Sequence, residues 1–194
     1  MAKSEASDYI LPIYKDRALK HLVKLAGGKA AIKHLDAEQL KKMKDARDVI
    51  AKDMQYNTLK WFRPFKYQSE FFETGAHFTR RGMIAANRAG KTVASTYETA
   101  YHLTGRYPKN WKGKRWDKPI IAMCSGESWE QVAKTLQSKL LGCDDIKQSY
   151  KLGTGSIPLE CIDEKSYRTD GANVLSIEVW HISGGKSKLY FSNY

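Results

Sequence analysis

The feature that most restricts the fold of this chain is an eight-residue stretch, Ala85-Ala86-Asn87-Arg88-Ala89-Gly90-Lys91-Thr92. It follows a short apolar run, Met83 to Ala86, and opens a helical pattern, Thr92 to Leu103, that Gly105 ends. Apart from Ala85 in place of the first glycine, it matches the spacing G-x-x-x-x-G-K-[ST]. A strand, a tight loop and a helix in that order place the loop's backbone N–H groups at a helix N-terminus, a ready site for phosphate. The N–H groups of Asn87 to Lys91 are expected to curl around a β-phosphate. Gly90 allows close approach, and small Ala86 and Ala89 leave the loop room to close. The Lys91 ammonium is expected to bridge β- and γ-phosphates of ATP, and the Thr92 hydroxyl to join a Mg²⁺ shell. Arg88 has two readings, a catalytic charge stabiliser or a plain phosphate or carboxylate contact. Upstream, Phe65-Lys66-Tyr67-Gln68 offers an aromatic run and an amide that can both donate to and accept from an adenine edge, so Gln68 is a candidate base contact.

Around this loop the pattern is α/β. Pro119 to Cys124 reads as a second buried strand, and Ser128-Trp129-Glu130-Gln131 has capping-box spacing before a helix carrying Val132, Leu136, Leu140 and Leu141. Strand, helix, strand, helix predicts a βαβ unit in a parallel sheet flanked by helices. Alternation through Leu175, Ile177 and Val179, the turn Ser183 to Lys186, and Leu189-Tyr190-Phe191 predict a C-terminal β-hairpin. The first 58 residues read differently, as a helical extension to the domain begun at residue 59. A helix ending at Gly27-Gly28 precedes a second one opened by the capping box Asp36 to Gln39, with Leu40, Met43, Val49 and Ile50 as its apolar face. Lys41, Lys42, Lys44 and Arg47 read as a solvated face.

Charge is unevenly placed. The 194 residues carry a formal +12, divided as +4 over residues 1–55, +9 over 56–118 and −1 over 119–194. The middle third is therefore built to face an anion. Its densest part, Arg106 to Lys118, holds six basic residues, one acid and the aromatics Tyr107, Trp111 and Trp116. Lys109, Lys112, Lys114 and Arg115 are candidate contacts to a DNA backbone. The alternative is a structured loop with tryptophans in the core and lysines merely solvated. Cys124, Cys143 and Cys161 are far apart and odd in number, which excludes a disulfide framework or zinc ribbon. No apolar run is long enough to span a membrane.

Taken together, these segments resemble the large subunits of tailed-phage terminases. The likeness is carried by Phe65 to Gln68, Phe78-Thr79-Arg80-Arg81-Gly82, Ala85 to Thr92 and His102-Leu103-Thr104-Gly105-Arg106-Tyr107-Pro108. Gly113 to Pro119, Gly153-Thr154-Gly155-Ser156-Ile157-Pro158 and Ser183-Gly184-Gly185-Lys186-Ser187 extend it across residues 61–194. The resemblance implies an ATPase motor that moves viral double-stranded DNA into a procapsid, in the host cytoplasm. It implies a small terminase subunit and a portal protein as partners, and a nuclease domain further along such proteins. The family's motor fold also uses an apolar strand ending in Asp-Glu. Cys161-Ile162-Asp163-Glu164 comes nearest, Asp144-Asp145 follows a helix, and Glu178 lacks a preceding aspartate. The chain is accordingly expected to be the N-terminal part of such a motor, binding ATP weakly and turning it over slowly if at all. A helicase-like translocase, or a non-catalytic nucleic-acid-binding module with a vestigial nucleotide loop, are the alternative readings.

Overall fold

A computed structural model of the chain describes residues 10–143, 151–171 and 173–194. It divides into two units, residues 1–56 and 57–194. In the first, α1 (Pro12–Leu25) starts with proline at its first turn, where the missing N–H costs nothing. It stops at Gly27 and Gly28, whose φ of 89° and 108° suit only glycine. A short α2 (Lys29–Ile32) leads to α3 (Ala37–Tyr56). The predicted capping box is present: Gln39 N–H donates to Asp36 Oδ1 (2.8 Å) and Asp36 N–H to Gln39 Oε1 (3.0 Å). α1 and α3 pack through fully buried Ala18 and Ala51, and Leu11 N–H donates to Gln55 Oε1 at 2.8 Å. The apolar face of α3 differs from expectation. Val49 and Leu40 point to solvent, while Ala51, Met54 and Gln55 are buried. Small residues let the two helices approach, and the larger aliphatics fall off that seam. Lys41, Lys42 and Lys44 are exposed as expected.

The second unit opens with α4 (Thr58–Trp61) and α5 (Lys66–Thr74), followed by α6 (Lys91–Thr104). A mixed four-stranded sheet follows, ordered β1-β4-β3-β2 from β1 (Ile121–Gly126), β2 (Arg168–Asp170), β3 (Asn173–Trp180) and β4 (Lys186–Asn193). β1 and β4 run parallel, Ala122 opposite Leu189 and Cys124 opposite Phe191. The predicted hairpin is β3–β4, antiparallel with Ile177 opposite Leu189. Between β1 and the hairpin lies α7, formed by Trp129–Gln131, a wider π turn over Val132–Gln137, and Ser138–Leu141. Ser128 caps it, its Oγ accepting from Gln131 N–H at 3.2 Å. Gln131 Oε1 returns to Glu127 N–H instead of to the cap residue.

Leu103 of α6, Val132, Leu140 and Leu141 of α7, Ile177 and Val179 of β3 and Leu189 of β4 are all fully buried in one core. Each such side chain contributes roughly 1.5–3 kcal/mol of burial free energy. This layer fixes α6 against the sheet and so fixes where its two ends lie.

Two sequence expectations need correction. The sheet is mixed, with β1–β4 its one parallel pair among the described strands. Met83 to Ala86 joins no ladder, and Ile84 is fully exposed. The carbonyls of Ala85 and Ala86 are instead taken by the Lys91 ammonium, at 2.5 and 3.0 Å. Four apolar residues make a short, weak strand signal, and here a side chain satisfies the polar groups a ladder would use. Asp144 and Asp145 lie outside the described residues.

Candidate phosphate-binding site

Helix α6 begins at the predicted loop. Gly90 is its N-cap with φ 83°, a left-handed conformation glycine takes without cost. No side chain caps α6 and no acid lies in its first turn. The first N–H groups of a helix have no intrahelical partner, so this end is positive and open. Lys91 and Thr92 occupy its first two positions. Asn87 and Arg88 form the turn before it, closed by Ala89 N–H donating to Ala86 C=O at 3.3 Å. Arg88 has φ 63°, the only positive value at a non-glycine residue among the described ones. Such a residue carries a backbone cost of order 1–3 kcal/mol and persists where the surroundings over-determine it. Ala85 to Arg88 are exposed.

The surroundings that hold the loop come from α5. The Tyr67 hydroxyl donates to Ala89 C=O, and Gln68 Nε2 donates to Gly90 C=O at 3.1 Å. Gln68 Oε1 meanwhile accepts from Phe65 N–H at 2.9 Å, satisfying a free donor at the start of α5. Gln68 is 2% exposed. It therefore ties the helix start to the loop, a positioning role that the sequence reading of its amide as a base contact did not include. A Cβ on Gly90 would sit 3.0 Å from Gln68 Nε2, so the pairing of Gln68 with Gly90 is also steric.

Below the loop, Arg81 pairs with Glu98 of α6 at 3.0 Å and donates to Phe71 C=O at 2.8 Å. Its guanidinium lies 4.6 Å from the Phe71 ring centre. Glu98 is 6% exposed, so this ion pair is largely shielded and anchors the segment before the loop to both helices. His102 extends the cluster, 3.7 Å from Glu98 and 2.9 Å from the Tyr107 hydroxyl. The pairing of Arg81 with Glu98 was not legible in the sequence, because it joins positions with no local pattern.

The basic loop is structured on its aromatic side and exposed on its cationic side. Trp111 is part of an aromatic cluster, 5.1 Å from Phe72 and from Tyr101 and 5.5 Å from Tyr107, with its Nε1 donating to Lys114 C=O at 3.0 Å. Burial pushes the Tyr107 and Tyr101 hydroxyls up to about 12. Lys109, Lys112, Lys114 and Arg115 are exposed. Lys112 faces Glu73 at 3.5 Å, Lys114 lies over Trp116, and Arg115 lies over Tyr107. A cationic surface is thus carried on an aromatic base.

Asp163 does not end an apolar strand. It precedes the turn toward β2 and takes Lys186 of β4 at 2.7 Å, while Glu178 takes the same ammonium at 3.2 Å. The Lys186 ammonium and Lys165 N–H hold the Asp163 carboxyl below the usual carboxylate range. Cys143 and Cys161 are buried thiols, and Cys124 is half-buried. Burial pushes the Cys124 and Cys161 thiols up to about 11.

Among the described residues, no group of three His, Cys, Asp or Glu could hold a metal ion, and no helix is long and apolar enough to cross a membrane. No protein-family model matches the chain, and no solved structure matches it. Over 113 residues it is 38% identical to the large terminase subunit of Salmonella phage P22. That match takes in 52% of this chain and 22% of the phage protein, so the chain spans about a fifth of the relative's length. The similarity relates the chain to large terminase subunits.

Proposed function

We propose that this chain is the nucleotide-binding part of a viral DNA-packaging motor, a large terminase subunit in function as in similarity. The observation that carries this is the loop Ala85 to Thr92, strained at Arg88 and tied by Tyr67 and Gln68 to the uncapped N-terminus of α6. An open helix start with Arg88 and Lys91 beside it, and no acid in the first turn, fits the tail of ATP. On that reading the loop N–H groups from Asn87 to Lys91 take the phosphates. The Lys91 ammonium leaves the Ala85 and Ala86 carbonyls for the β- and γ-phosphates. The Thr92 hydroxyl would hold Mg²⁺, which would offset charge on the phosphates. Hydrolysis of the bound triphosphate would supply the work of translocation. Arg88 offsets charge on the phosphates, and Gln68 keeps the loop in place.

The exposed cations Lys109, Lys112, Lys114 and Arg115 would meet the backbone of double-stranded DNA. A small terminase subunit and a portal protein are the partners this function requires. Calorimetric titration with Mg-ATP tests the reading. Binding by the chain, lost in Lys91→Ala with the melting temperature unchanged, supports it. A chain that binds neither Mg-ATP nor inorganic triphosphate overturns it.

A further inference from the structure

α5 has a second side. Where Tyr67 and Gln68 face the phosphate loop, Ser69, Phe72 and Glu73 line a cavity of about 470 Å³. That is the size range of ligand sites. Its buried floor includes Phe72 and Tyr101, 3% and 4% exposed. Phe62 and Trp111 add aromatic surface to its walls, and Lys60, Arg63 and Lys112 supply three cations against the one acid, Glu73. No residue of the phosphate loop lines it. Tyr101 stands ten residues beyond Lys91 on α6, about 15 Å along the axis.

The walls are held in place before any ligand arrives. Phe62 is stacked on Tyr97 with ring centres 3.7 Å apart, and Trp111 is fixed by its bond to the Lys114 carbonyl. Arg63 donates to the carbonyls of Lys60 (3.1 Å) and Phe62 (2.9 Å) through one nitrogen, which leaves its other donors for a ligand. Gly113 lets the basic loop lie against α5, since a Cβ there would meet the Phe72 carbonyl and Trp111 Cζ2.

We propose that this cavity takes an unpaired nucleotide of DNA, a base from a frayed or overhanging end, while Arg63 and Lys112 hold the flanking phosphates. The inference rests on the DNA-binding reading above and adds to it a site for single strands. A concave aromatic site with cations at its edge suits a base that has left its stack. A base inside a duplex cannot enter such a site. The neighbouring exposed cations of residues 109–115 would deliver the duplex portion.

Fluorescence anisotropy on the 194-residue chain tests the proposal, using a labelled oligothymidylate, an abasic oligonucleotide of equal length, and a blunt duplex. The thymidylate is expected to bind about tenfold more tightly than the abasic strand, the value of roughly one stacked base. Ser69→Trp, which fills the cavity, should remove that preference, and Arg63→Ala, which leaves it open, should weaken both single strands alike; neither should change Mg-ATP affinity. Equal affinity for the two single strands overturns the proposal. If the duplex still binds in a salt-dependent way, the motor reading survives that result; if no DNA binds, both fail. Displacement of thymidylate by Mg-ATP, with loss of ATP binding in Ser69→Trp, would assign the cavity to the base of the nucleotide and also overturn it.

Discussion

The two ends of α6 are built on opposite principles. At Gly90 the helix starts without a side-chain cap, beside exposed Asn87 and Arg88 and a lysine that bonds to its own loop. At Gly105 it ends with φ 69° and N–H donating to Tyr101 C=O at 2.8 Å. Thr104 there is fully buried, its hydroxyl donating to Ala100 C=O, and its carbonyl accepts from Ile182 N–H. His181, 4% exposed, closes over the end, bonded to Ser183 Oγ at 2.8 Å. The Tyr101 and Thr104 carbonyls and the Thr104 hydroxyl at that end have partners within the protein, whereas the first end keeps donors for something else. Stability and ligand binding should therefore separate along one helix.

The sharpest break of that contrast is at the sealed end. In Gly105→Ala the new Cβ would sit 2.7 Å from His181 Cε1 and 2.8 Å from Ile182 Cγ2, at a left-handed φ. Overpacking and backbone strain together should cost about 3 kcal/mol, read from the denaturant midpoint, with Mg-ATP affinity of the folded fraction unchanged. A variant as stable as the parent would mean the hairpin does not close this end. The mirror experiment at the open end is Lys91→Ala. It removes charge-assisted bonds to phosphate worth about 2–3 kcal/mol, a roughly hundredfold loss of Mg-ATP affinity, and should leave the midpoint within about 0.5 kcal/mol of the parent.

How far this contrast could be read from the chain itself depends on the range of the interactions. The capping box at Asp36, the glycine stop at Gly105 and the β3–β4 hairpin were legible because each rests on residues within a few positions of one another. The loop and the helix it opens were legible for the same reason. What holds the loop was not, since Tyr67 and Gln68 act across 22 positions, and no period links them to Ala89 and Gly90. Met83 to Ala86 illustrates the converse. A local apolar run states a preference for extended backbone, but a ladder needs a partner strand, and Lys91 holds two of its carbonyls. The cavity beside α5 was invisible for a further reason: its aromatics come from four separate segments whose spacing carries no signature.

A smaller effect tests the tie itself. Tyr67→Phe deletes the hydroxyl that donates to Ala89 C=O while keeping the ring beside Phe65. With a partly exposed bond of about 1 kcal/mol removed, Mg-ATP affinity should fall roughly fivefold, by loosening the loop and not by removing a ligand contact. The loss should shrink as the nucleotide is shortened to adenosine, which makes no call on the phosphate loop. An equal loss for adenosine would show that Tyr67 touches the base.

The smallest expected effect lies at Asp163 and Lys186, where the segment before β2 meets the hairpin that closes the sealed end. Asp163 is held below its ordinary 3.8 chiefly by the Lys186 ammonium, and Lys186 is raised above its ordinary 10.5 chiefly by Asp163, then by Glu178. For a depressed carboxyl, the stabilisation is present above its unfolded value and disappears as pH falls through the folded one. For a raised ammonium it is present below the unfolded value and disappears as pH rises through the folded one. The pair should thus contribute evenly from about pH 5 to pH 9 and fade at both extremes, with the acid limb below the ordinary carboxylate pKa. Comparing Asp163→Asn with the parent across pH reads this directly, because the amide keeps an oxygen for Lys165 N–H and loses the charge and the acceptor that face the Lys186 ammonium. The difference in midpoint should be small, flat in the middle and vanishing in acid, while Mg-ATP affinity stays the same at every pH where both proteins fold. A nucleotide affinity that followed this carboxylate would place it at the open end of α6, in the position of a motor's catalytic acid, and would erase the division between the two ends.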